Sequence, residues 1–195
     1  MSRLMLSLVV LAAVAGCSTA SIEARWRAPN APALTNVVTL SPAPDGVRRR
    51  SIEDRLAHQL QQQGVRAVPG YSVLTDQERG NRDVMIAKLQ ADGFDGIVTM
   101  RLVDAHQRLA YYPAFDMYWG YAWGPYWGGG AVVPETVLRI EVNAYALPTK
   151  QLVWSALSQS VDPNSSAQAV RDVSKLVSTR MSHDHVIGGT AEATR

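Results

Sequence analysis

The chain has 195 residues, with 19 Lys and Arg against 17 Asp and Glu and a formal net charge of +2 at pH 7. That balance argues against a nucleic-acid binder, whose binding face is strongly basic. A single cysteine excludes an intramolecular disulfide, so a folded unit must be held by its hydrophobic core. The length suits one domain with appendages.

At the N-terminus Arg3 precedes an apolar stretch over residues 4–15, broken only by Ser7, and small residues lead to Cys17. A basic start, an apolar run and a small-residue exit mark a secretory signal peptide over 1–16, and the run is short of the ~20 residues that span a bilayer. Its ending, Val14-Ala15-Gly16-Cys17, resembles the lipobox of bacterial lipoproteins. The resemblance implies lipidation of Cys17 as the first mature residue, with palmitate among the attached chains. With Ser18 next, it also implies anchoring in the outer membrane, facing the periplasm. Each buried CH₂ contributes ~0.8 kcal/mol, so two or more acyl chains hold a protein stably. Residues 17–35 read as the lipid-anchored tether, small and polar, with Pro29 and Pro32 opposing regular structure. Past Cys17 its 18 residues, 18–35, reach at most ~65 Å. Trp26 is its odd member and is expected to dock on the domain.

From Asn36 the pattern becomes regular. Val37, Val38 and Leu40 predict a strand ended by Pro42, Pro44 and Asp45-Gly46. Ser51, with Asp54 three residues on, predicts a helix cap, and Ile52, Leu56 and Leu60 its buried stripe before Gly64. The basic cluster Arg48-Arg49-Arg50 then falls in the preceding loop, solvated or in contact with a phosphate or carboxylate. Residues 65–68 predict a second strand. Asn81 caps a second helix, with Met85, Ile86 and Leu89 inward, and residues 96–104 predict a third, central strand. Later the period becomes two: Leu138, Ile140, Val142 and Ala144 share one face. A turn at Pro148-Thr149-Lys150 returns the chain through Leu152, Trp154 and Ala156. Ser165, with Gln168, caps a last helix buried through Val170, Val173, Leu176, Val177 and Met181. The expected fold is α/β over 36–182: a mixed five-stranded sheet, β-α-β-α-β then an antiparallel β-hairpin and a C-terminal helix, with helices packed on the sheet. A flexible tail follows over 183–195.

The lipobox, Trp26 with Pro29, residues 64–71 (GVRAVPGY), residues 95–98 (DGIV), residues 152–155 (LVWS) and residues 162–165 (DPNS) together resemble a family of small, uncharacterised bacterial lipoproteins. The element order is also similar to the N-terminal domain of the TolB translocation protein. More distantly it is similar to the lipoprotein activators of penicillin-binding proteins and to the curli-secretion lipoprotein. These similarities imply protein binding or envelope assembly and no catalysis. The family tends to a glycine in the turn where this chain has Pro148-Thr149-Lys150.

The residues offer little chemistry. His58 falls on the solvent side of its helix. Asp104 and His106 would project together from a strand, as an acid–base pair does, but no G-x-S-x-G nucleophile motif accompanies them. His183-Asp184-His185 has too few ligands for a metal site. Gly128-Gly129-Gly130 lacks the spacing of a phosphate or dinucleotide loop. No catalytic residue, metal or cofactor is expected.

The outstanding feature is a long loop expected over 109–134. Within it nine of the chain's 14 aromatic residues fall between Tyr111 and Trp127, and Asp116 is its sole charge. Tyr118, Trp119, Tyr121, Trp123, Tyr126 and Trp127 are the candidate binding residues. Tyr and Trp dominate protein hot spots, favour the lipid–water boundary and stack on sugars. A protein partner, self-association, a membrane surface and a peptidoglycan or lipopolysaccharide glycan all remain open, as does packing of the loop on its own sheet. Nucleic acid does not, for want of interleaved Lys and Arg.

Overall fold

The computed structural model, which describes residues 20–112 and 131–188, is built on one mixed sheet of six strands. These are β1 (Ala20–Arg27), β2 (Asn36–Leu40), β3 (Arg66–Pro69), β4 (Gly96–Tyr112), β5 (Ala131–Ala146) and β6 (Gln151–Val161), in the spatial order β1-β6-β5-β4-β2-β3. β2 pairs in parallel with β3 and β4, and the other neighbours are antiparallel. The helices are α1 (Gly46–Gln61), α2 (Asp76–Gly80), α3 (Arg82–Ala91) and α4 (Ser166–His183).

Adjacent residues of β2 show how the sheet is covered on both sides. Val37 packs with Leu56 and Leu60 of α1 and with Val173, Val177 and Met181 of α4. Val38, pointing the opposite way, packs with Ile86 and Leu89 of α3. Val98 and Ile97 of β4 divide in the same manner. Of the expected stripes, Leu56 and Leu60, Ile86 and Leu89, and Val173, Val177 and Met181 are buried, while Ile52, Met85, Val170 and Leu176 are half-buried.

The sheet has six strands rather than five because β1 occupies the segment expected to be a tether. Ala20 to Arg27 pair antiparallel with β6, and Ala20 and Ile22 pack against the core. Pro29 and Pro32 follow the strand, so they do not disturb its hydrogen bonds. Trp26 sits on this strand and is half exposed. The tail also starts later than His183. Val186 and Ile187 are buried, and Ile187 bridges to Leu34.

Three further boundaries move. α1 begins at Gly46, capped by Asp45, whose side chain accepts from the Val47 and Arg48 amides. Ser51 lies inside the helix, and so does the Arg48-Arg49-Arg50 cluster. The short helix α2, which the periodicity did not suggest, is closed by a full capping box between Thr75 and Glu78. In β6 a bulge at Val153 places Val153 and Trp154 both in the core, while Leu152 is only half-buried. One extra residue shifts the alternation by one.

Candidate functional site

Cys17 and the six candidate contact residues Tyr118, Trp119, Tyr121, Trp123, Tyr126 and Trp127 lie outside the described residues. The structure instead describes the platform that carries the aromatic segment. The loop expected over 109–134 is strand at both ends: β4 and β5 stay paired from Ala105↔Leu138 out to Tyr112↔Ala131. β6 ends beside this ribbon's base, where Val137 meets Val161. Beyond that pair six residues of each strand form a two-stranded ribbon, ~20 Å long at ~3.3 Å per residue.

The ribbon is two-faced. Directly paired residues share a side, so Ala105, Leu138, Leu109, Pro134 and Val132 fall on the side facing α1 and α4, with Gln107 and Thr136 between them. Leu109 is 75% exposed and Val132 60% exposed. The opposite side is charged toward its base and carries Ala110 and the exposed Val133 farther out. His106 Nδ1 lies 2.8 Å from Asp104 Oδ2, Arg139 Nη1 lies 3.9 Å from the same oxygen, and Arg108 Nε donates to the buried Glu135 at 2.9 Å. Asp104 and His106 do meet, as their spacing predicted, but within an ion-pair ladder on an open strand surface.

A second recessed region lies where β2 ends. The connections leaving β2 and β3 run on opposite faces of the sheet, so the carboxyl end of β2 beside β4 is a topological switch point, the usual place for a ligand crevice in open α/β sheets. The loop 41–45 crosses it with a cavity on each side. One, of about 380 Å³, is walled by Ile52, Met100, Leu138, Ile140 and Val170, with the exposed Arg48 and Arg101 among its lining. The other, of about 730 Å³, is more polar and lined by Arg49, Arg79, Thr99, Asn143 and Tyr145. The first is mainly apolar, and both its arginines face carboxylates: Arg48 lies 3.9 Å from Asp45, and Arg101 pairs with Glu141.

Glu53 fixes this loop. It is fully buried, its Oε1 accepts from the Ser41 amide at 3.1 Å, and its Oε2 accepts from the Tyr71 amide at 3.0 Å. Arg79 closes on the same carboxylate as a fork, at 2.8 and 2.9 Å. The side chain thus ties α1, the end of β2 and α2 together. Nothing in the sequence pattern singled out Glu53, because it occupies a turn of α1 that looks solvated on composition alone. The arginine cluster is similarly engaged: Arg49 pairs with Asp76 at 2.9 Å, and Arg50 stands over the Tyr71 ring at 5.5 Å. The hydrogen bond from Tyr71 to Asp54 holds the phenol above its ordinary pKa.

His58 is exposed, as expected from its helix position. Asp184, in the His183-Asp184-His185 run, accepts from Arg25 at 2.8 and 2.9 Å and from the Trp154 indole. Its lone pairs are turned into the fold. Among the described residues no group of three or more His, Cys, Asp or Glu is placed to hold a metal, and no helix is long and apolar enough to cross a membrane.

No protein-family model matches the chain, and no curated protein matches it. Among solved structures it is similar to the PelC dodecamer from Paraburkholderia phytofirmans, at 14% identity and a TM-score of 0.47, over 84% of this chain and 95% of that one. It is also similar to the lipoprotein GNA1162 from Neisseria meningitidis, at 13% identity and a TM-score of 0.42, over 76% of this chain and 99% of that one.

Proposed function

We propose that the protein is a lipid-anchored factor of the bacterial cell envelope that works by binding or assembly and not by catalysis. In this reading Cys17 carries the lipid and the domain faces the periplasm from the outer membrane. The segment around Tyr118, Trp119, Tyr121, Trp123, Tyr126 and Trp127 contacts an envelope protein or a second copy of the chain. The observation that supports it is the ribbon. β4 and β5 continue six residues past the last pair with β6, with exposed apolar side chains, and the aromatic segment joins their ends. Large exposed apolar patches on folded domains usually mark interaction sites.

A photoreactive residue at Trp123, crosslinked in living cells, tests the contact, with a discrete adduct expected. Replacing Trp119, Tyr121 and Trp123 by Ser should leave the melting curve intact and abolish association. A triple variant that unfolds early would make the segment part of the core and end this reading. Labelled fatty acid should enter the wild type and not Cys17→Ser.

A second reading, a module that lies on the membrane or on a glycan, is favoured for the membrane by one observation. The tether is short, since the chain enters the sheet at Ala20.

A further inference from the structure

The register of the sheet places the start of β1 and the base of the ribbon at the same end of the molecule. Ala20 pairs with Ser160, Ser160 with Leu138, and Leu138 with Ala105, so one row crosses four strands. β1 runs from this row back into the sheet, toward Arg27↔Trp154. The chain preceding Ala20 therefore leaves from the ribbon's end. Cys17 is three residues away, a reach of at most ~11 Å. β1 and β5 are separated only by β6, or ~10 Å at the spacing of paired strands. The ribbon itself projects ~23 Å from the same row.

An anchor on a leash this short holds the ribbon end of the sheet at the bilayer surface. A free tether of 18 residues would have let the domain stand ~65 Å away; pairing of β1 removes most of that freedom. A ribbon longer than the leash, rising from the anchored end, has to meet the lipid surface or lie along it. Its two sides differ in the way that contact requires. Leu109, Val132 and Pro134 are exposed on one side, whereas the other carries the ion-paired Asp104, His106, Arg108, Glu135 and Arg139 toward its base, with Val133 its one exposed large apolar residue among the described side chains. An amphipathic element settles at the lipid–water boundary with its apolar side down and its charges in water.

We infer that the β4–β5 ribbon is a membrane-contacting arm, whose Leu109–Val132–Pro134 side rests on the lipid surface that holds the acyl chains of Cys17. The inference rests on the lipoprotein reading and deepens it: it assigns an orientation to the domain and a lipid partner to an apolar side whose base, at Leu138, also walls the first of the switch-point cavities.

The test uses the full chain, processed in cells, purified and reconstituted into phosphatidylethanolamine–phosphatidylglycerol vesicles containing a nitroxide-bearing lipid. An environment-sensitive fluorophore is attached at Leu109→Cys or Val132→Cys, with His106→Cys for the charged side and Thr149→Cys for the far end of the sheet. Quenching by the lipid nitroxide should be severalfold stronger at 109 and 132 than at 106 and 149. Equal quenching at 109 and 149 would overturn the arm. So would blue-shifted emission at 109 without lipid quenching, joined to a doubled sedimenting mass, which would assign that side to a second copy. The mass of Cys17 in the same preparation separates the two claims. An unacylated Cys17 removes the lipoprotein reading and the inference with it, whereas an acylated Cys17 with unquenched 109 removes the arm alone.

Discussion

The Trp154 indole N–H donates to Asp184 Oδ2 at 3.0 Å, joining the most buried aromatic side chain of β6 to the residue that ends α4. The same carboxylate receives Arg25 of β1 and lies 3.2 Å from Arg180 Nε. One acidic group thus clasps the edge strand, its neighbour β6 and the last helix. It also explains why residues just past His183 are ordered in the fold.

Trp154→Ala should lower stability by about 3–5 kcal/mol, the usual cost of emptying a buried aromatic site. Trp154→Phe fills most of the space but loses the donor to a charged acceptor, for about 1.5–3 kcal/mol. Chemical denaturation of the two variants separates packing from hydrogen bonding. A Trp154→Phe variant as stable as the wild type would mean that the hydrogen bond contributes nothing.

Acid should loosen the same clasp. Burial would raise the pKa of Asp184, but the Trp154 N–H and the Arg25 and Arg180 guanidiniums outweigh it and hold the carboxyl below its ordinary value. A carboxyl depressed in the folded state contributes stability that is present above the unfolded pKa of about 3.9 and is lost as the pH falls through the lower, folded value. Melting temperature should therefore drop more steeply below about pH 4 in the wild type than in Asp184→Asn. Parallel curves for the two proteins would exclude Asp184 as the acid-sensitive group.

Arg79→Ala should cost about 3–5 kcal/mol, because it leaves the Glu53 carboxylate buried without its cation. Arg79→Lys keeps the charge but not the two-pronged geometry, and should fall between the wild type and Arg79→Ala. A small effect of Arg79→Ala in urea titration would show that water reaches Glu53. In that case the 41–45 loop is held by the Ser41 and Tyr71 amides alone.

The start of α1 gives a direct comparison between two candidate caps. Asp45→Ala should destabilise by about 1 kcal/mol, since the amides of Val47 and Arg48 lose their acceptor. Ser51→Ala, inside the helix, should change stability by less than about 0.5 kcal/mol. Thermal melting of the two variants decides it, and a reversed order would return the cap to Ser51.

Much of the α/β layout was legible because it is written in short-range periodicity. Ile86 and Leu89 at helical spacing, Ile140 and Val142 at strand spacing, and the caps Asn81 and Ser165 each announce their element within a few residues. The hairpin turn was less legible: Lys150 takes φ 57°, the left-handed conformation that favours glycine. The paired carbon chemistry of the crevice was less visible, since Ile52, Ile140 and Val170 read as ordinary core from sequence and become cavity wall only when α1 and α4 stop short of covering β4. The sequence by itself thus determined the types of the elements from Asn36 onward apart from α2, and the presence of an aromatic segment between two strands. Only the tertiary structure decided that residues 20–27 form an edge strand, that the ribbon carries an apolar and a charged side, and that Glu53 and Asp184 are tie points. These depend on partners as far as 159 residues away, and no local pattern encodes which distant strand supplies a hydrogen bond or which arginine reaches a buried carboxylate.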